Sequence, residues 1–263
     1  SRSVRDTARW FDVCNGFDAR DTLSLPRVEG WEAGLDTFDL AGKRAVISID
    51  LGSAIVDPVQ TAMLIERAER LIALAGMRRV DVAVNFPRGG SEWALANLIG
   101  LAGVLGDRYP ACHDDLTPEI QLGMRIAVER FSLGAAGAAE MFRIEVNERM
   151  ASDATDFVFA ATNPDVAFAA AGPMATTVGG VDLIAVHGFD VAIGNNGALT
   201  IPANHTGNPA VTIPSGQVNG LPIGLQVIGR HHEEQLLLDL ARIAEREFPW
   251  PLVAPSPRAE LGS

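Results

Sequence analysis

Apolar residues at Val4, Ala8 and Phe11 follow Ser3-Val4-Arg5-Asp6, a capping-box order in which the Ser3 hydroxyl and the Asp6 carboxylate satisfy early backbone donors. The spacing predicts a helix ending near Gly16. Turn residues then crowd Asp18 to Pro26, and Gly42-Lys43-Arg44 leads into a short strand, Ala45-Val46-Ile47-Ser48-Ile49. Asp57-Pro58 is an N-cap and first-turn pair for a helix whose apolar positions Ala62, Ile65, Leu71 and Leu74 run to a terminal glycine, Gly76. Arg79 to Val84 alternates as a strand, and a helix through Trp93, Leu98 and Leu101 follows the Gly89-Gly90-Ser91 break. Thr117-Pro118-Glu119 opens another helix, Ala138 to Met150 forms a further one, and Phe157-Val158-Phe159-Ala160-Ala161 is a buried strand.

Residues 162 to 197 are rich in Ala, Gly and Pro without firm periodicity, which suits a pocket wall. Beyond them, Ala210-Val211-Thr212-Ile213-Pro214 and Ile223-Gly224-Leu225-Gln226-Val227-Ile228 flank Val218-Asn219-Gly220, a hairpin signal. Both strands are nearly continuous in apolar residues and are therefore expected to be central. Glu233 to Glu247 is an amphipathic helix with acids in its first turn, followed by Pro249, Trp250 and Pro251. The β, α, β, α order, with no repeat or charged linker, predicts an α/β fold with a mixed central sheet flanked by helices on both faces.

At 263 residues, 48% of them hydrophobic, the chain can bury a sizeable core as one domain. A net charge of -12 argues against nucleic acid or an anionic membrane as the general partner and for a small molecule. Cys14 and Cys112 lie far apart without ligand spacing around either, so neither a disulfide framework nor a zinc site is expected. No apolar run is long enough for a membrane helix and no signal peptide opens the chain, which suits a cytoplasmic setting. The chain opens on Ser1, already in a helix-start pattern, and is expected to be cut or partly reported at its N-terminus.

The candidate chemistry is sparse. His231-His232-Glu233-Glu234 lacks the i, i+4 spacing of a helical ligand pair, so no metal and no cofactor is expected. His113-Asp114-Asp115 has no partner in sequence, and His187 and His205 stand near the Ala/Gly/Pro-rich region without a G-x-S-x-G nucleophile elbow. Gly89-Gly90-Ser91 is followed by Glu92 and Trp93 and reads as a helix cap. Lys43, the only lysine, lies beside Arg44 at a strand entry, where a solvated charge is the simpler account.

Arg2-Ser3-Val4-Arg5-Asp6, Asp18-Ala19-Arg20-Asp21, Pro202-Ala203-Asn204 with Gly207-Asn208-Pro209-Ala210, and Gly220-Leu221-Pro222-Ile223-Gly224-Leu225-Gln226-Val227 occur in an order that resembles the amidase-signature family along the whole chain. The resemblance implies a serine nucleophile, a second serine in a cis peptide that relays the proton, and a neutral lysine base, all upstream of Ser1. A hydroxyl needs an adjacent base to attack at neutral pH, and a lysine serves only if its surroundings lower its pKa. Residues 1-263 are then the C-terminal portion of a single amidase-signature domain, incomplete without the upstream segment, and no catalytic residue is expected within it. Arg130, four residues before Gly134, resembles the arginine that holds a substrate carboxylate in some members, with a surface helix arginine as the alternative. Asn195-Asn196-Gly197 and Asn204 match positions lining the substrate pocket or its supporting turns; Asn196 and Asn204 are the substrate-binding candidates, with turn formation equally open. Relatives that read a charged amine carry an acid just after the first asparagine, which this chain lacks.

The resemblance implies hydrolysis of a carboxamide to carboxylate and ammonia through a serine acyl-enzyme, with this chain inactive alone. The departure after Asn195 favours a stand-alone amidase over a component of an aminoacyl-tRNA amidotransferase, and a non-catalytic scaffold or binding module is the alternative from another class. The expected partners are the missing N-terminal segment of the same protein, a small-molecule amide and a second copy in a homodimer. Strand edges and helix faces left for the upstream segment should be uncovered here.

Overall fold

The computed structural model describes residues 1–151, 154–170 and 175–253. Its helices and strands run α1 (Val4–Cys14), β1 (Arg44–Ile47), α2 (Pro58–Leu74), β2 (Arg78–Arg79), α3 (Gly90–Leu105), α4 (Pro118–Arg130), α5 (Leu133–Met150) and β3 (Phe157–Ala161). There follow β4 (Thr177–Val178), β5 (Val181–Asp182), α6 (Leu183–His187), α7 (Phe189–Asn195), α8 (Ile201–Thr206), β6 (Ala210–Val218), β7 (Leu221–Ile228) and α9 (Glu234–Glu247). The stretch expected to be aperiodic, 162 to 197, thus contains short elements that no window of periodicity reveals.

Local chemistry sets several of these boundaries. The Ser3 hydroxyl accepts from Asp6 N and the Asp57 carboxylate accepts from Gln60 N, capping α1 and α2. Gly76, at φ +64, follows the C-cap of α2 in a conformation that suits glycine. Ser132 accepts from Ala135 N, so α5 begins at Leu133, five residues earlier than its periodicity indicates. The cap, not an apolar stripe, sets that boundary. At α3 the N-cap is Gly89 and makes no side-chain bond, so Ser91 lies inside the helix and does not cap it.

Five strands form one mixed sheet in the order β2-β1-β3-β7-β6. β1 pairs parallel with β2 and β3, whereas β7 pairs antiparallel with β3 and β6. Two expectations are corrected here. The strand expected over 79 to 84 ends after Arg79, two residues short of the end of β1, because the chain leaves its partner there: Val80 N still reaches Ala45 O, and Phe86 N bonds instead to Leu51 O. β6 is an edge strand, not a central one, with Ala210, Thr212 and Pro214 exposed. β7 occupies the central position, and Asn219-Gly220 makes the turn with both φ values positive.

α2 and α9 touch each other and layer one side of the sheet, and α1 lies on α9. Phe157, Phe159, Leu64, Leu71, Leu225 and Leu240 are fully buried in the single large core. The segment between α7 and α8 reaches the sheet where Gln226 Nε2 donates to Leu199 O at 2.9 Å, with α5 and α3 behind α8. At the sheet margin, Asp156 accepts from Arg44 N (2.8 Å), Nε (3.1 Å) and a terminal guanidinium nitrogen (2.8 Å), and Arg230 Nε stands 3.5 Å away. The two ends of the described chain also meet: Trp250 Nε1 donates to Arg2 O at 2.8 Å, and Val4 N donates to Glu245 Oε1 at 3.0 Å.

Other surfaces are left bare. α3 has no buried residue, and Trp93, Ile99 and Val104 on it are exposed. Together with the open edge of β6, this matches the expectation of uncovered strand edges and helix faces.

Candidate functional site

The α7 to α8 segment is held by asparagines. Asn195, 4% exposed, accepts from Ile55 N at 2.7 Å and donates to Ile55 O at 2.8 Å, clamping the loop before α2. Asn196 donates from Nδ2 to Ala175 O at 2.8 Å. Asn204 is exposed on α8 and donates to Thr200 O at 3.1 Å. Below α8, Thr206 Oγ1 donates to Asn208 Oδ1 at 2.7 Å while buried Asn208 donates to Gly229 O at 2.9 Å, tying the helix to the end of β7. The segment is thus fixed at one end to the loop before α2 and at the other to the end of β7.

Beside it lies an open stretch of sheet. Thr212 is register partner to Gln226 and Gln226 to Ala160, so these residues share one face, the face on which Gln226 meets Leu199. Thr162 donates to Thr212 across it at 3.2 Å. Gly224, opposite Pro214, has no space for a side chain: a Cβ would stand 2.6 Å from Thr212 Cγ2 and 2.9 Å from Thr162 Oγ1. Thr212 and Pro214 face solvent. This surface can donate and accept hydrogen bonds, but its hydroxyls have no base beside them among the described residues.

Two cavities lie elsewhere. One of about 400 Å³ at the end of β1 presents Ser48, Asp50, Thr61 and Arg79 among aliphatic side chains. Asp50 accepts from Gly52 N and Arg79 pairs with Glu69. The other, about 590 Å³, is bordered by Arg5, Asp12, Glu32, Asp36 and Arg242. Backbone N–H groups of Glu32, Trp31 and Gly30 hold the Asp12 carboxyl below the usual carboxylate range, and Arg9 hydrogen-bonded to Glu32 does the same there. These charges are engaged in joining α1 to the loop after it.

The sequence-level candidates are dispersed. Arg130 ends α4 and is exposed, on a different helix from Asn196 and Asn204, which flank the same α7 to α8 segment. Lys43 stands 3.9 Å from Glu233 Oε1, and His187 ends α6 exposed to solvent. His205 packs edge-on against the Phe142 ring at 5.2 Å. Burial and the Arg143 charge push its imidazole below its ordinary value. Among the described residues, no hydroxyl or thiol forms a hydrogen bond with a lysine or histidine side chain, and no group of three or more His, Cys, Asp or Glu side chains could hold a metal ion. No helix among them is long and apolar enough to cross a membrane.

Sequence reasoning missed the roles of Asn195, Asn208 and Gln226. All three are buried polar side chains bonded to backbone, and such groups need partners when shut off from water. Asn195 and Ile55 are 140 positions apart, so no local pattern announces the clamp.

A model of the family described as Amidase matches residues 1–238. A glutamyl-tRNA(Gln) amidotransferase subunit from Listeria welshimeri is 27% identical over 266 residues, covering 94% of this chain and 54% of that protein. Among solved structures, a bacterial aryl acylamidase belonging to the amidase signature enzymes aligns with a TM-score of 0.77 at 24% identity, over 97% of this chain and 55% of that one. The corresponding glutamyl-tRNA(Gln) amidotransferase subunit from Thermotoga maritima aligns at 0.67 with 21% identity, over 98% and 54%. The chain spans about half the length of the curated relatives it matches.

Proposed function

We propose, from the premise that the chain belongs to the amidase family, that it is the supporting part of an amidase whose serine nucleophile, bridging serine and lysine base lie in an upstream segment. In this reading residues 1-263 are the C-terminal portion of one amidase-signature domain. The intact protein attacks a linear carboxamide with the serine hydroxyl, releases ammonia, and hydrolyses the acyl-enzyme with water. The chain supplies a pocket wall: Asn196 and Asn204 on the α7 to α8 segment present amide groups to the substrate, and Arg130 pairs with a carboxylate where the substrate has one.

The observation that carries the reading is the bare stretch of sheet at Thr162, Thr212 and Gly224, bordered by the open edge of β6, where a further chain segment would sit. Hydroxyls without a base agree with chemistry supplied by that segment.

The test compares the chain alone with the chain joined to its upstream segment, measuring ammonia release from simple amides. Activity is expected only in the joined form, abolished by a serine-reactive phosphonate. Phosphonate-sensitive turnover by the chain alone would sink the proposal. A second reading, a scaffold or binding module without the catalytic half, is favoured by the same missing base; an encoded upstream lysine and glycine-serine signature would decide against it.

A further inference from the structure

We propose that His205 is an acid-released latch: its neutral ring seats α8 on α5 and α3, and gaining a proton unseats the helix. The ring lies in the α8 to α5 contact, and its Nε2 is closed to solvent without a hydrogen-bond partner among the described residues. Its ring neighbour, Phe142 of α5, is itself buried and cannot retreat, because it occupies the space a side chain at Gly89 would take: a Cβ there would fall 1.8 Å from Phe142 Cζ. A neutral imidazole with its proton on Nδ1 places only a lone pair at Nε2 in this position. Protonation adds a charged N–H there with no acceptor, a costly arrangement at an atom shut off from water.

The charged groups facing the ring come from both helices behind α8. Glu92 of α3 and Glu140 of α5 favour the proton, while Arg143 of α5 opposes it. Glu140 is already committed to Arg143, with contacts of 2.6 and 3.0 Å. Neither Glu140 nor Glu92 bonds Nε2 in this position, so the charged ring turns out of the contact to reach Glu92 or water, and α8 moves with it. His231, which follows β7, differs in geometry: its Nε2 already has a partner at α8, donating to Thr206 O at 2.7 Å. The release acts through His205, and it frees the helix that carries Asn204.

The sign follows from burial, which disfavours the charged form. The seat is fully retained above the ordinary imidazole value of about 6.5 and is lost as pH falls toward the lower value in the folded chain. The experiment is a thermal melt of the full chain and of His205→Phe at pH 7.5 and 5.5, with amide protection in residues 203–207 read relative to amides of α2 at each pH. The expected result is a fall in melting temperature and in relative protection on acidification of the unaltered chain, both smaller in His205→Phe. An equal acid response in the two overturns the latch. Histidine NMR on the unaltered chain decides independently of whether the variant folds. One of the five imidazoles is expected to titrate below the ordinary value, and all five titrating at or above it overturns the proposal.

Discussion

Replacing Asp156 with asparagine keeps the shape of the side chain and removes the charge that three Arg44 donors and Arg230 converge on. The carboxyl is only 15% exposed, and the Arg44 guanidinium bonded to it holds its pKa down to about 2 from an ordinary 3.8. A depression of that size corresponds to about 2 kcal/mol of stability, present above the ordinary value and lost as pH falls through about 2. Urea unfolding at pH 7, with the slope unchanged, should therefore show Asp156→Asn less stable by about 2 kcal/mol. The same gap should narrow between pH 5 and pH 2, because acid protonates the native carboxyl and makes it resemble the amide. Other carboxylates titrate in both proteins, so the difference between them isolates this one. Equal urea midpoints at pH 7, or a gap that acid leaves untouched, would refute the account of Asp156 as the charged staple between the entries of β1 and β3.

Asn195→Ala removes both bonds to Ile55 and leaves that partly buried backbone pair without its side-chain partner, so unfolding should lose about 2 kcal/mol; a loss under about 0.5 kcal/mol would show the loop held by other contacts. Gly224→Ala should lower stability by about 1 kcal/mol through its collision with Thr212 and Thr162, and adding Thr212→Ala should recover part of that loss. Simple additivity of the two substitutions would place the strain elsewhere.

What the sequence made legible is what local chemistry decides. The Ser3 and Asp57 caps, the buried run Phe157 to Ala161 and the Asn219-Gly220 turn each carry their cause within a few residues, and the structure has them in place. Strand position is a different matter. β6 reads as central because its residues are apolar, yet a strand is central only if a neighbour lies on each side, and nothing within Ala210 to Val218 encodes that. Arg79 to Val84 alternates correctly but keeps to its partner only as far as Val80, and the bonds that draw the chain away lie elsewhere in the sequence. The candidate site divides in the same way. The motif order pointed to the segment around Asn195 and Asn204, while the work of Asn195, Asn208 and Gln226 depends on backbone groups far off in sequence.

The contact between Trp250 and Arg2 turns the described chain into a ring. Closing so long a loop costs only slightly more entropy than closing one half its length, since the penalty grows with the logarithm of length. Tension applied across the two ends of the described chain would be borne first by α1 against α9 and by the Glu245 and Trp250 bonds. The load would reach the sheet, which carries the proposed pocket wall, through α9, the helix that packs on β6.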